Sequence, residues 1–258
     1  MKFRKRLPQI CAFLMLGIMA IATASLIARK SLSASQQGEK QIPIKVVQLP
    51  LKDGAFPIEI RCEDARLSAP NKVDGFSCLV INNTSKKISA LAAVYSVVIE
   101  GLTGESQESH LITNDFFVHP DIREARHLKL LPPGESRILQ PPGPITFENG
   151  TVSSVEVHID YVEFEDKTST GPDTNGSKMI NSMRDGAARY KAWLVQQYKQ
   201  NKMEEKTLTP MLENSDIPKE LNFNGDPDLI EGARLYRRVM RSVYNTQGAA
   251  ELRLYLNK

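Results

Sequence analysis

From Ile10 to Ala28 the chain runs nineteen residues, ICAFLMLGIMAIATASLIA, without a charged side chain. As a helix such a run rises about 28 Å, close to the roughly 30 Å hydrocarbon core of a bilayer. It has no polar face, so burying it in a water-soluble protein needs apolar partners all round. Lys2, Arg4, Lys5 and Arg6 precede it, and only Arg29 and Lys30 close it. That excess of positive charge places the N-terminus in the cytoplasm. The expectation is a single membrane span through residues 8–28, with the bulk of the chain extracytoplasmic, in a periplasm or at a cell surface. Ala22-Thr23-Ala24 also fits a small-x-small cleavage pattern, so the alternative is a signal peptide removed near Ala24 and a secreted product. The apolar run continues through Leu26 and Ile27, and this length favours the anchor. Residues 1–30 are read as anchor or signal, and 31–41 as a polar linker.

After the linker the pattern changes to short apolar runs separated by turn chemistry, as in an all-β region. In Phe56–Cys62, Ile58, Ile60 and Cys62 share one side while Glu59 and Arg61 share the other. Phe76, Cys78 and Val80 share a face, and a polar turn at 82–87 feeds Ile88–Ile99. The segment Gly101–Ser109 reads as a loop and Leu111–Val118 as the next strand. Leu131-Pro-Pro-Gly-Glu-Ser136 is a turn in which proline sets φ and glycine supplies a positive φ, and it leads into Arg137–Gln140. Val155, Val157, Ile159 and Tyr161 then alternate with Glu156, His158 and Asp160. Six or seven short strands between residues 42 and 170 suit a two-sheet antiparallel sandwich.

The run Ile81–Gly101 (INNTSKKISALAAVYSVVIEG), the Leu131–Ser136 turn and the closing Val155–Asp166 (VEVHIDYVEFED) carry a resemblance. This region resembles the immunoglobulin-like β-sandwich domains of exported bacterial proteins, in the style of cell-adhesion and transport-associated modules. The stretch Val155–Tyr190 is similar to membrane-anchored bacterial proteins of uncharacterised type. The resemblance implies a sandwich over residues 42–170 and brings no catalytic residues with it.

In Ile88–Ile99 both faces are apolar: Ile88, Ala90, Ala92, Val94 and Val98 on one side, Leu91, Ala93, Tyr95, Val97 and Ile99 on the other. A strand with one wet face alternates more sharply, so something covers the second face. The face of Leu91, Tyr95, Val97 and Ile99 is read as the docking surface, either for the protein's own C-terminal helices or for a partner. Residues 177–258 form a helical tail. Ile180, Met183, Ala187, Tyr190, Leu194 and Tyr198 make one helical stripe from Ser177 to about Met203. Residues 204–209 read as a charged break before Pro210. A second helix starts at Asp226-Pro227, where aspartate caps and proline suits the first helical position. The segment Asn245–Gly248 interrupts it before a last short helix. Arg234, Arg237, Arg238 and Arg241 lie off its apolar stripe, where they are either a solvated face or a contact for anionic lipid or an acidic partner.

Charge separates along the chain. Residues 35–176 hold 13 basic and 20 acidic side chains, a balance of −7, and residues 177–258 hold 14 and 10, a balance of +4. The largest block is acidic, which argues against nucleic-acid binding, where a concentrated basic face is expected. Cys62 and Cys78 point with the apolar residues of neighbouring strands, leaving two readings, a disulfide contributing on the order of 3 kcal/mol or two buried thiols. His158 between Glu156 and Asp160 has the residue types of a metal site, but same-face neighbours on one strand converge poorly. The loop Asp173–Gly176 has a calcium-loop flavour but no later bidentate glutamate, and reads better as the start of a helix. No metal, no cofactor and no small-molecule substrate is assigned. Zinc-protease, serine-hydrolase, phosphate-loop and C-x-x-C signatures are all missing from the sequence. The reading is therefore a non-enzymatic, membrane-anchored module for contact with an unknown protein or envelope partner. A β-rich enzyme with an unrecognised site is one alternative, and a lipid- or surface-associating protein acting through the basic tail is the other.

Overall fold

The computed structural model describes residues 40–47, 58–101, 104–115, 130–200, 205–214 and 216–257. The expected membrane span, the cleavage site near Ala24, His119 and His127 lie outside them. Among the described residues no helix is long and apolar enough to cross a membrane. The protein is mainly β, in several antiparallel sheets, with helices at the C-terminal end.

Twelve described strands form three sheets. The first runs β1 (Lys40–Ile42), β4 (Ala65–Ala69), β5 (Lys72–Gly75) and β10 (Ile145–Thr146), and the second β3 (Ile58–Cys62), β6 (Cys78–Asn82) and β9 (Ser136–Leu139). The third centres on β7 (Ile88–Gly101), flanked by β8 (Gly104–Asp115) and β11 (Thr151–Phe164). The far edge of β11 is closed by β2 (Ile44–Val46) and β12 (Ser169–Thr170). The β2–β11 pair is parallel, a departure from the expected all-antiparallel arrangement. Val73, Val80, Leu91, Val97 and Val155, drawn from all three sheets, meet in one apolar core.

Local chemistry accounts for the turns. Glu135 N–H bonds Pro132 O at 3.2 Å and Gly134 has φ 76°, so Pro133 and Gly134 occupy the two central positions of a type II turn. Buried Asn82 donates to Lys86 O at 2.8 Å and Leu131 O at 2.9 Å and accepts from Thr84, which leaves none of its polar capacity wasted. Two strand expectations are corrected. The β8 strand begins at Gly104, so most of the presumed loop 101–109 is strand paired without a break to β7. The β4–β5 hairpin was not expected, although Ala65 and Leu67 alternate into the core around a turn at Pro70-Asn71.

The alternation of β11 also changes phase. The pairing register with β7 shifts between Ile159 and Tyr161, which makes Asp160 the extra residue of a bulge. Val155, Val157 and Ile159 enter the core, and beyond the bulge Val162 and Phe164 do so instead. Tyr161 therefore leaves the face expected for it and packs with Ala90, Ala92 and Ile180 on the opposite side of the sheet.

The helical part consists of α1 (Gly176–Gln200), α2 (Glu205–Glu213), a 3-10 turn (Lys219–Leu221) and α3 (Pro227–Asn257). Tyr190, Leu194, Leu208, Leu212, Tyr236 and Met240 form its own core. The charged break expected before Pro210 is instead helix α2, with Pro210 inside it. A proline removes one backbone bond, and the burial of Leu208 and Leu212 on either side holds the turn together. Asp226 Oδ1 accepts from Asp228 N–H at 2.9 Å and Leu229 N–H at 3.2 Å, capping α3 ahead of Pro227. Gly248, at φ 84° and ψ 177°, breaks α3 where an interruption was expected. Helices α1 and α3 cross through glycine on both sides: a Cβ on Gly186 would run into the Leu229 carbonyl, and one on Gly232 into the Met183 carbonyl.

Candidate functional site

The most developed polar cluster lies where α1 rests on the outer face of the third sheet. The bulge at Asp160 turns its buried carboxylate away from the ladder and toward the start of α1. There it accepts from Thr174 N–H and Oγ1 at 2.8 Å each, Asn175 N–H at 3.2 Å and Gly176 N–H at 2.7 Å. Burial pushes the Asp160 carboxyl up, but these four bonds outweigh it and hold the group below the usual carboxylate range. A strand residue thus satisfies helix-terminal N–H groups that a local cap would normally take. Only glycine fits at 176, because a Cβ would come within 2.6 Å of Tyr161 Cβ and 2.8 Å of Ala92 Cβ.

Two turns along α1, Arg184 bridges two carboxylates. Its Nε and Nη2 reach Asp115 at 2.8 and 3.0 Å, and its Nη1 and Nη2 reach Glu163 at 2.8 and 3.0 Å. Ser89 Oγ donates to Glu163 at 2.8 Å, and Lys167 Nζ lies 3.2 Å from the same carboxylate. Burial raises the Glu163 carboxyl, yet hydrogen bonds from Arg184 and Ser89 and the guanidinium charge together hold it at about 2. Burial acts to lower the Arg184 pKa, and the two carboxylates raise it above its ordinary value. With every charge matched by hydrogen bonds, the cluster is built to hold α1 on the sheet rather than to bind a reacting group.

The residues singled out from sequence fall in separate places. Cys62 and Cys78 oppose each other across β3 and β6 and are joined by a disulfide. Leu91, Tyr95, Val97 and Ile99 sit in the apolar core of the β region, not under a helix. Helix α1 docks instead on Ala90 and Ala92. The correction has a physical cause: with both faces of β7 apolar, periodicity cannot tell inside from outside. The side of small residues is the one a helix backbone can approach closely. Of the four arginines, Arg234 and Arg238 both pair with Glu231, at 4.0 and 2.6 Å, and both are exposed. Arg241 is also exposed, whereas Arg237 is turned inward and donates to Asn214 O. Arg234, Arg238 and Arg241 therefore form the outward stripe.

Glu156, His158 and Asp160 do not converge. Glu156 pairs with Lys45 at 2.7 Å, and the Asp160 carboxylate is taken up by the helix start. The loop Asp173–Gly176 is spent on that same capping, with Asp173 Oδ1 accepting from Ser177 N–H at 2.8 Å. Among the described residues no group of three His, Cys, Asp or Glu side chains is placed to hold a metal ion.

The described residues also form concavities, among them these three. A cleft of about 660 Å³ beside the disulfide is lined by Glu63, Asp64, Arg66, Asp74, Phe76 and Ser77. Ser77 Oγ donates to Glu63 at 2.9 Å there, and among the described residues no histidine lines the cleft to act as a base toward the serine. A second, of about 610 Å³, lies at the start of α3 between Lys178, Arg189 and Asp226. A third, of about 470 Å³, is a groove over Trp193, Met211, Ile217 and Pro218.

Sequence reasoning passed over Asp115, Asp160, Glu163, Arg184 and Gly176 as a group. One signal was available: Arg184 lies four residues after Ile180 and three before Ala187, at the margin of the apolar stripe, where a cation needs a buried anion opposite it. Set against known proteins, the chain matches no family model, no curated protein and no solved structure.

Proposed function

We propose that this is a membrane-tethered, extracytoplasmic protein without catalysis, in which an immunoglobulin-like sandwich carries a helical unit that contacts a protein or another component of the cell envelope. The observation that carries this reading is the Cys62–Cys78 disulfide downstream of an uncharged nineteen-residue run. Disulfides persist in oxidising compartments and are rare in the cytosol. The firm mounting of α1 on the sheet supports a contact role as well, because it holds the helical surface in a fixed place on the β region.

The test is a pair of C-terminal fusions in a bacterial host, one to alkaline phosphatase and one to β-galactosidase. The phosphatase fusion is expected to be active and the galactosidase fusion inactive. The reverse pattern overturns the reading. Detergent-dependent extraction of the product separates the anchor from a secreted form cleaved near Ala24.

A second reading rests on the outward stripe of Arg234, Arg238 and Arg241, which suits an anionic lipid surface or an acidic partner. Full-length protein held in neutral nanodiscs is expected to capture phosphatidylserine vesicles at low salt. The triple Arg→Glu variant is expected to lose that capture, and capture insensitive to salt and to the substitutions argues against it.

A further inference from the structure

We infer that the outer edge of β8 is a self-association surface, on which a second copy of this chain adds its own β8 antiparallel. The two edges of the third sheet differ. The β11 edge is closed by β2 and β12, whereas no described strand pairs with the outer edge of β8. β8 runs for twelve residues against β7 in unbroken register, and Gly104–Ser109 are exposed throughout. Such an edge presents a row of unpaired N–H and C=O groups to any further strand. Natural edges are commonly protected by a bulge, a proline or charged side chains, lysine above all. β8 (GESQESHLITND) has no bulge, proline or lysine, and the charges on its exposed part are Glu105 and Glu108.

Its charges favour a second copy over an unrelated strand. Glu108 and His110 are two residues apart and so share one face of the strand. Within the monomer His110 Nε2 lies 3.3 Å from Glu108 Oε1 and is buried without a hydrogen bond, while the side chain as a whole stays 32 % exposed and leaves the rest of the ring for a second copy to meet. His110 is also held in place, stacked on Tyr95 with ring centroids 5.1 Å apart. When two β8 strands pair about a two-fold axis through Ser109, each Glu108 stands directly opposite the His110 of the other copy. The same register sets Glu105 opposite Thr113, so no like charges meet along the ladder. Directly opposed side chains in an antiparallel pair sit about 5 Å apart, close enough to interact. Edge addition alone makes a small interface, so the dimer is a concentration-dependent equilibrium.

The test uses full-length protein in mild detergent, with Cys11→Ser in every variant to remove the remaining thiol. Ser109→Cys, at the two-fold, is expected to form a covalent dimer under mild oxidation at least tenfold faster than Glu105→Cys on the same edge. Equal rates, or no crosslinking by either, overturn the inference. Sedimentation supplies the second arm. His110→Glu creates two like-charge pairs per dimer and is expected to weaken association roughly tenfold. The exchange Glu108→His with His110→Glu restores it, and failure of that rescue overturns the proposed register. Neither arm depends on the compartment, so the inference and the reading of a membrane tether fail separately.

Discussion

Replacing Arg184 with methionine keeps the aliphatic stem and removes the guanidinium that Asp115 and Glu163 share. Those residues are only 7 % and 6 % exposed, so the variant leaves two buried carboxylates without the guanidinium, although Glu163 keeps Ser89 and Lys167. Removing one member of a buried ionic group costs about 3–5 kcal/mol because the partner charge is left uncompensated. The pH dependence gives a sharper test. In the folded protein the Glu163 carboxyl is held at about 2, against an ordinary value of 4.5. A depression of that size corresponds to about 3 kcal/mol of folding stability, part of it owed to Ser89 and Lys167. Because the folded value is the lower one, this contribution is fully present above pH 4.5 and disappears as the pH falls toward 2. The gap between wild type and Arg184→Met is therefore widest near pH 7 and narrows on acidification. Urea titrations at pH 7 and pH 3 measure it, followed by far-UV circular dichroism and by the fluorescence of Trp193. That residue is the sole tryptophan and lies on α1 against Tyr190, with centroids 5.4 Å apart. A loss below about 1 kcal/mol at pH 7, or an equal loss at both pH values, refutes the claim that buried ion pairing holds α1 to the sheet. Lysine at 184 keeps the charge but not the planar fork, and is expected to fall between the two.

Gly232→Ala inserts a methyl group against the Met183 carbonyl. It is expected to destabilise by about 1–3 kcal/mol through overpacking, despite alanine's better helix propensity, as a lower thermal midpoint of the helical signal. Asp160→Ala removes the shared acceptor of Thr174, Asn175 and Gly176. A cost of about 1–3 kcal/mol is expected, and hydrogen exchange is expected to rise first at the amides of the α1 start. Cys62 and Cys78 are 16 residues apart in sequence, and replacing both with serine is expected to cost about 3 kcal/mol. Dithiothreitol should lower the denaturation midpoint of wild type toward that of the double variant and leave the variant unmoved.

What could be read from the sequence was whatever depends on near neighbours. Alternation located β3, β6, β7 and β11, and the turn at Pro133-Gly134 followed from the φ preferences of those two residues. The Asp226-Pro227 start of α3 followed from capping chemistry, and the break near Gly248 from helix propensity. Each of these is settled within a few residues of chain, so each leaves a local trace. The joint between sheet and helix leaves almost none. Asp115, Glu163 and Arg184 meet across separations of 69 and 21 residues, and nothing near any of them in sequence announces the other two.

Tertiary structure also decided which way β7 and β11 face. Both sides of β7 are apolar, so its pattern permits either orientation, and the choice fell to size: Ala92 admits the backbone of α1 at Gly176 and Ala90 packs with Ile180, while Leu91 and Tyr95 fill the core. In β11 a single extra residue at Asp160 reverses every side chain after it, a change that counting in twos along the strand cannot detect. The same bulge aims the Asp160 carboxylate at the start of α1. Local pattern thus determined the elements and their ends. Packing between distant elements, where a methyl group or one charge decides whether two surfaces can meet, determined how they are joined.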